Sequence, residues 1–267
     1  MKSSYQTLLL AIDGPCAWIT LNRPERRNAL SDVMYEELCE VVERLELDDT
    51  VRAVAITGTG PVFCAGGDIK AMQDRLDVPS THSGREWRYT SRTTRVVQSL
   101  FSFRKPLVAV MNGPAIGGGA CLALLADVRI ACPEAWMSFP FLSRALLPDW
   151  GATYLLPRAF GPLLALDLMV SQRRVEVEQA RHLGVLADVV PHAQLRARAV
   201  QMLEAIASAA PQPLRALKQQ LRAPEVGALV QSMLGEGMHQ AALTGAPAFA
   251  QAVGRFTGKA ASQKATP

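Results

Sequence analysis

The sequence predicts an α/β fold whose strands pair in parallel. Two observations carry that prediction. Apolar, strand-length runs recur and end in glycine or proline: CAWITLNR (16–23), VRAVAITGTG (51–60), LVAVMNG (107–113) and VRIACP (128–133). Between them lie stretches whose apolar residues recur at helical spacing. Strands that alternate with helices and read as near-continuous apolar runs belong to parallel sheets covered on both faces. At 267 residues, 49% hydrophobic and 19% charged, the chain has the material for one large core.

Taken in order, CAWITLNR alternates near a period of two and stops at Pro24, so it reads as a strand followed by a loop. Ser31 is a good N-cap, with Met34, Leu38, Val41, Val42 and Leu45 at helical spacing behind it. The 51–60 run is a buried strand ending in glycines. The segment from Lys70 to Lys105 is polar, and a mobile piece is expected at 77–84. A helix follows from about Arg85 to Phe103, with Arg85, Arg88, Arg92 and Arg95 on one face. That face is either solvated or in contact with an anionic ligand or a partner subunit. The 107–113 and 128–133 runs are further strands. After Pro191 the chain turns helical, and PQPLRALKQQLRA (211–223) starts a helix behind prolines. The tail KAASQKATP is expected to fray. No internal repeat is visible. The organisation expected is a core over 1–195 and a helical region over 196–267.

Composition excludes several classes. A net charge of +4 is too small to argue for nucleic acid, and suits an anionic small molecule. No apolar run approaches the ~20 residues of a membrane span. Leu8 to Ile12 is too short for the apolar part of a leader. The five cysteines (16, 39, 64, 121, 132) are scattered, as expected of reduced thiols in a cytoplasmic protein. His82, His182, His192 and His239 stand alone, and no metal-ligand spacing is present.

Two glycine-rich turns hold the chemistry. FCAGGDI (63–69) follows one strand and NGPAIGGGACLALLAD (112–127) another, each at the mouth of a helix. Such turns aim backbone N–H groups at negative charge. Neither fits GxxxxGK[ST], nor GxGxxG with a later acidic residue, so a nucleotide is disfavoured. Two readings stay open from spacing alone. One is an oxyanion hole with one donor from each turn. The other is close helix–strand packing with no ligand.

The pair FCAGGDI and NGPAIGGGA, about fifty residues apart, resembles the crotonase (enoyl-CoA hydratase/isomerase) family. LNRPERRNAL (21–30), FGP (160–162), LGVLADVV (183–190) and PLRALK (213–218) add to the resemblance, which covers nearly the whole chain. It implies a spiral of ββα units with a C-terminal helical region that supports trimers, often paired into hexamers. It also implies an acyl-CoA thioester substrate, with coenzyme A present only as part of that substrate and no further cofactor. Gly67, after Ala65-Gly66, and Gly118, the middle of the triplet, would donate their N–H groups to the thioester oxygen. The same resemblance points to Arg23, Arg27, Ala65, Gly66, Asp68, Ile69 and Lys70, and near the C-terminus to Phe256 and Lys259, as contacts for substrate and CoA.

The catalytic acids depart from the hydratase pattern. Family hydratases use two glutamates, and the matching positions here are Cys121 and Phe141. A thiol and a phenyl ring cannot activate and orient water as two carboxylates do. Instead Asp149, in LLPDWGATYLLPR, matches the aspartate of the dienoyl-CoA and ring-opening isomerases of the family. Phe139, Phe141, Leu147 and Trp150 are expected to surround it with apolar surface and raise its pKa. Bulky Phe141 and Trp150 hint at an aromatic or branched acyl chain. Cys121 reads as a small filler beside the pocket, with no histidine near in sequence to activate it. The expected function is double-bond isomerisation with Asp149 as base. The alternatives are a hydratase using Asp149 and water, and a non-catalytic acyl-CoA-binding member.

Overall fold

A computed structural model of the chain describes residues 5–77 and 82–258. The strands expected from the apolar runs all form: β2 (Cys16–Leu21), β3 (Ala53–Gly58), β4 (Leu107–Met111) and β6 (Val128–Ala131); β1 (Leu8–Asp13), which the sequence reading did not pick out, precedes them. With β9 (Asp188–Val189) they make a six-stranded sheet in the order β1-β2-β3-β4-β6-β9. Only β1 to β2 is antiparallel. The rest pair in parallel, in registers such as Cys16 with Ala53, Val54 with Leu107 and Val108 with Val128. Every side chain of β4 is buried, as a strand covered on both faces requires.

After each long strand the chain makes a second, shorter extended piece before its helix. β5 (Ala115–Ile116) follows β4, and β7 (Trp136–Ser138) follows β6; together with β8 (Val175–Glu176) they form a three-stranded sheet. Single bridges between Leu30 and Gly67 and between Cys64 and Ala115 carry the same pattern back to the earlier turns. The repeated unit is thus strand, short strand, helix, and the glycine turns sit where short strand passes into helix.

The helices follow their sequence signals. α1 (Asp32–Leu47) is capped by the Ser31 hydroxyl, which accepts the Met34 N–H at 3.2 Å. Its expected apolar positions, 34, 38, 41, 42 and 45, are all buried. α2 (Ile69–Asp77) and α3 (His82–Ser102) flank residues 78–81, which, with part of the stretch expected to be mobile, lie outside the described residues. On α3, Arg92 pairs with Asp32 (2.7 Å) and Glu36 (3.3 Å) of α1. Its role is therefore helix–helix contact; the side chains of Arg85 and Arg88 lie outside those described.

α4 (Gly118–Leu125) is buried along its whole length, and α5 (Ala152–Phe160), α6 (Pro162–Ser171) and α7 (Val177–His182) follow the smaller sheet. The C-terminal part is helical as expected: α8 (His192–Ser208), α9 (Pro211–Thr244) and α10 (Pro247–Thr257). α8 packs on β3, β4 and β6, α9 on α3 and α5, and α10 on α2. One core runs from Leu8 through to Leu229 and Met233, crossing residue 195 by way of Leu195, Ala199 and Leu203. The expected frayed tail, including Lys259, lies outside the described residues.

Replacing Ser31 with alanine removes the cap of α1. The expected result in urea unfolding is a loss of about 1 kcal/mol at unchanged m-value.

Candidate active site

The site grows from the way the two glycine turns meet. Ile116 N–H donates to Cys64 O (2.9 Å), joining the second turn to the first. Gly66 has φ +81, and a Cβ there would fall 2.5 Å from Ile116 O and 3.3 Å from Gly118 N. A Cβ on Gly119 would fall 2.3 Å from Cys64 O. These glycines are needed for backbone packed on backbone. Gly67 and Gly118 differ: a Cβ on Gly67 would meet only the end of Met72 (2.6 Å), and one on Gly118 the Trp150 ring (3.0 Å). Neither the Gly67 N–H nor the Gly118 N–H donates to a protein acceptor among the described residues. The close-packing reading therefore holds at Gly66 and Gly119, while the N–H groups of Gly67 and Gly118 are left unused by the protein.

A cavity of about 30 Å³ joins them, walled by Gly67, Gly118, Phe141, Arg144, Asp149 and Trp150, with Ala65 and Gly66 at its edge. Asp149 is the only carboxylate in that wall among the described residues. Trp150, next to it, is 1% exposed and has φ +63, a left-handed conformation costly for a bulky residue. Its ring lies against Gly118 and stacks at 5.5 Å and 50° on Tyr35 of α1.

The expectation of an apolar surround for Asp149 is only partly met. Phe141 and Trp150 are there, but two polar residues of α9 also reach it. Gln240 Nε2 donates to Asp149 Oδ2 (3.1 Å), while Leu147 N–H donates to Gln240 Oε1 (3.1 Å). Glu236, one helical turn before Gln240, accepts Gly151 N–H (2.9 Å), Thr153 N–H (2.9 Å) and the Thr153 hydroxyl (2.6 Å). Burial is the largest influence on Glu236, and with the added charge of Asp149 it outweighs those donors and pushes the pKa up to about 7. Sequence reasoning missed this pair. The available signal was a Glu and a Gln four apart on one otherwise small-residue and apolar helix face.

The remaining predicted residues divide by place. Phe141 is buried in the cavity wall. Cys121 is fully buried one layer behind it, its thiol 3.8 Å from Asp149 O; burial raises its pKa well above the thiol range, so it stays a neutral filler. Arg23 is committed to Asp68 (3.0 Å) and to Ala29 O (2.7 Å), and Asp68 in turn accepts Ala71 N–H at the start of α2. Arg27 is exposed and gives its carbonyl to Ala65 N–H (3.0 Å), so Arg23, Arg27 and Asp68 brace the first turn outside the cavity. Ile69 packs toward Leu146, Phe249 and Val253, and Lys70 is exposed on α2. Phe256 is 54% exposed on α10, with the Arg144 guanidinium 4.9 Å from its ring centre. Arg144, which sequence reasoning also missed, donates to Pro140 O (2.6 Å), and burial holds its pKa below the usual guanidinium range.

Among the described residues no three His, Cys, Asp or Glu side chains gather as a metal site would need, and no helix is long and apolar enough to cross a membrane.

Two backbone donors and one carboxylate in a common cavity can stabilise an oxyanion while moving a proton. Comparison with known proteins identifies the family. Residues 12–262 match the family Enoyl-CoA hydratase/isomerase, and the chain belongs to that family, the crotonases. A probable enoyl-CoA hydratase, EchA12, of Mycobacterium leprae (strain TN) is 38% identical over 186 residues, 68% of this chain. The matched stretch spans 63% of that relative's length. The 1,2-epoxyphenylacetyl-CoA isomerase of Escherichia coli (strain K12) is 34% identical over 211 residues, 79% of this chain and 80% of its own. Among solved structures, an enoyl-CoA hydratase/isomerase from Mycobacterium paratuberculosis superposes with a TM-score of 0.88 at 25% identity, covering 95% of this chain and 100% of the other.

The raised Glu236 makes a stability prediction. Its pKa in the folded state, about 7, lies above the ordinary carboxyl value of 4.5, so the folded chain holds the extra proton between those limits. Stability from this group is therefore present below about pH 4.5 and lost as pH rises through 7. Denaturant unfolding of wild type and Glu236→Gln at pH 5 and pH 8 should show the difference moving in the variant's favour at the higher pH.

Proposed function

We propose that the protein is an acyl-CoA enzyme that stabilises a thioester enolate, and that its reaction is the shift of a double bond along the acyl chain. The observation that carries this reading is Asp149, among the described residues the one carboxylate in the wall shared with Gly67 and Gly118. The two positions where family hydratases resemble one another in carrying glutamate hold Cys121, buried and neutral, and Phe141, a phenyl ring in the wall. Asp149 takes a proton from the carbon activated by the thioester. The electron pair moves onto the thioester oxygen, which accepts the Gly67 and Gly118 N–H groups. Aspartic acid at 149 then returns the proton to another carbon, so that substrate and product are isomers. Two backbone donors of this kind are each worth about 10²–10³ in rate.

A second reading, addition of water by Asp149, is favoured by the relatives that carry the name hydratase. The apolar faces left exposed on α6 (Leu163, Leu166, Val170) and α9 (Leu217, Leu221) support assembly into a homotrimer or hexamer. We place the enzyme in the cytoplasm.

Incubation with 2-enoyl- and 3-enoyl-CoA thioesters in D₂O tests the reading. Wild type should shift the double bond or take up deuterium, and Asp149→Asn should lower that rate about 10²–10⁴-fold. A hydrated product that disappears in Asp149→Asn would establish the second reading. Thioester binding with neither outcome would mean a non-catalytic member.

A further inference from the structure

Asp149 and Trp150 line a second cavity as well as the first. It measures about 20 Å³ and is bounded further by Thr93 of α3 and by Glu236 and Gln240 of α9. That volume fits one water, which needs about 10–15 Å³ and two to four polar partners to stay. The partners are present. Thr93 Oγ1 is buried and has no hydrogen-bond partner among the described residues, although it is 4% exposed and on a well-packed helix. A buried hydroxyl left in that state is destabilising, so its bond is expected to be made to something the cavity holds. The two carboxyl groups supply acceptors on the same cavity.

We propose that Asp149 works as one half of a carboxyl pair, joined to Glu236 through a single water seated against Thr93 Oγ1. The proposal rests on Asp149 being the base. The step balances without a co-reactant. After Asp149 has taken the acyl proton, its O–H donates to the water, the water gives a different proton to the Glu236 carboxylate, and reversal restores Asp149 for the return. Glu236 touches no substrate; it acts through Asp149. Among the described residues, the titratable groups that face Glu236 are Asp149, from the loop before α5, and Cys121 of α4, which stays neutral. From α3 the described side chains lining the cavity are Thr93 and Thr94, which carry no charge. The pKa of about 7 at Glu236 suits a group that must both take and release a proton near neutrality.

The test follows kcat and KM against pH for wild type, Glu236→Gln, Thr93→Val, Thr93→Ser and Asp149→Asn. Glutamine keeps an oxygen for the Gly151 and Thr153 donors but cannot carry the proton. Glu236→Gln should lower kcat about tenfold or more at unchanged KM, and should move the acid limb of the profile to lower pH because a like-charged neighbour has gone. Thr93→Val, similar in volume but without the hydroxyl, should lower kcat in the same direction. Thr93→Ser, which keeps the hydroxyl, should stay near wild type. If Glu236→Gln and Thr93→Val both turn over like wild type with an unmoved acid limb, while Asp149→Asn is dead, the relay is wrong and Glu236 is only a cap for α5. If Asp149→Asn itself retains full turnover, the assignment of the base falls and the relay with it. Should Glu236→Gln fail to fold, the two Thr93 variants decide between these outcomes.

Discussion

The molecule depends on a seam of backbone against backbone. Where Cys64 to Gly67 meets Ile116 to Gly119, two loops approach more closely than any side chain would allow, and the Ile116 N–H to Cys64 O bond locks their register. The seam fixes the mouths of α2 and α4 relative to one another. Helix starts carry unpaired N–H groups by construction. Setting two such mouths side by side leaves Gly67 and Gly118 as donors that the protein itself does not use. Buried asparagines hold the seam from outside: Asn28 bonds to Thr59 O and Val62 O, and Asn112 accepts Gly58 N–H and donates to Gly60 O. The oxyanion reading is thus a by-product of how the turns must pack.

Opposite that seam the electrostatics run the other way. Asp149 and Glu236 are two acids in one buried region with, among the described residues, no arginine or lysine paired to Glu236, whose neighbours in hydrogen bonding are neutral donors. Such a pair resists carrying two charges at once, because a low-dielectric interior magnifies their repulsion. Uptake of one proton, such as the proton Asp149 would take from substrate, relieves that repulsion. The arrangement accounts for the tolerance of an unusual Trp150 conformation: Glu236 bonds the backbone at Gly151 and Thr153, and Gln240 bonds Leu147 and Asp149, so the strained residue is pinned on both sides.

Much of this was legible in the residues. Parallel strands, the cap at Ser31 and the two glycine turns follow from local pattern, because strand burial, capping and tight turns are set by neighbours in sequence; the replaced glutamate positions, Cys121 and Phe141, were legible only through the family resemblance. Asp149 was legible only within its motif, since a lone aspartate after proline is usually a turn residue. What could not be read was contact across long separations. Glu236 and Gln240 lie some ninety residues from the loop they hold, and their spacing on an apolar face of α9 marks them as buried without showing which loop they meet. That Arg23 and Asp68 pair with one another across 45 residues was likewise invisible in the sequence.

The dependence of the Asp149 loop on α9 has a consequence for biosynthesis. A ribosome makes this chain from its first residue onward. The glycine seam can close once α4 has emerged, and Asp149 is made soon after. Its supports are not made until some 87 to 91 residues later. During that interval Gly67 and Gly118 can already sit side by side while Asp149 still lacks its braces, so the proposed site is complete only when the late helices dock.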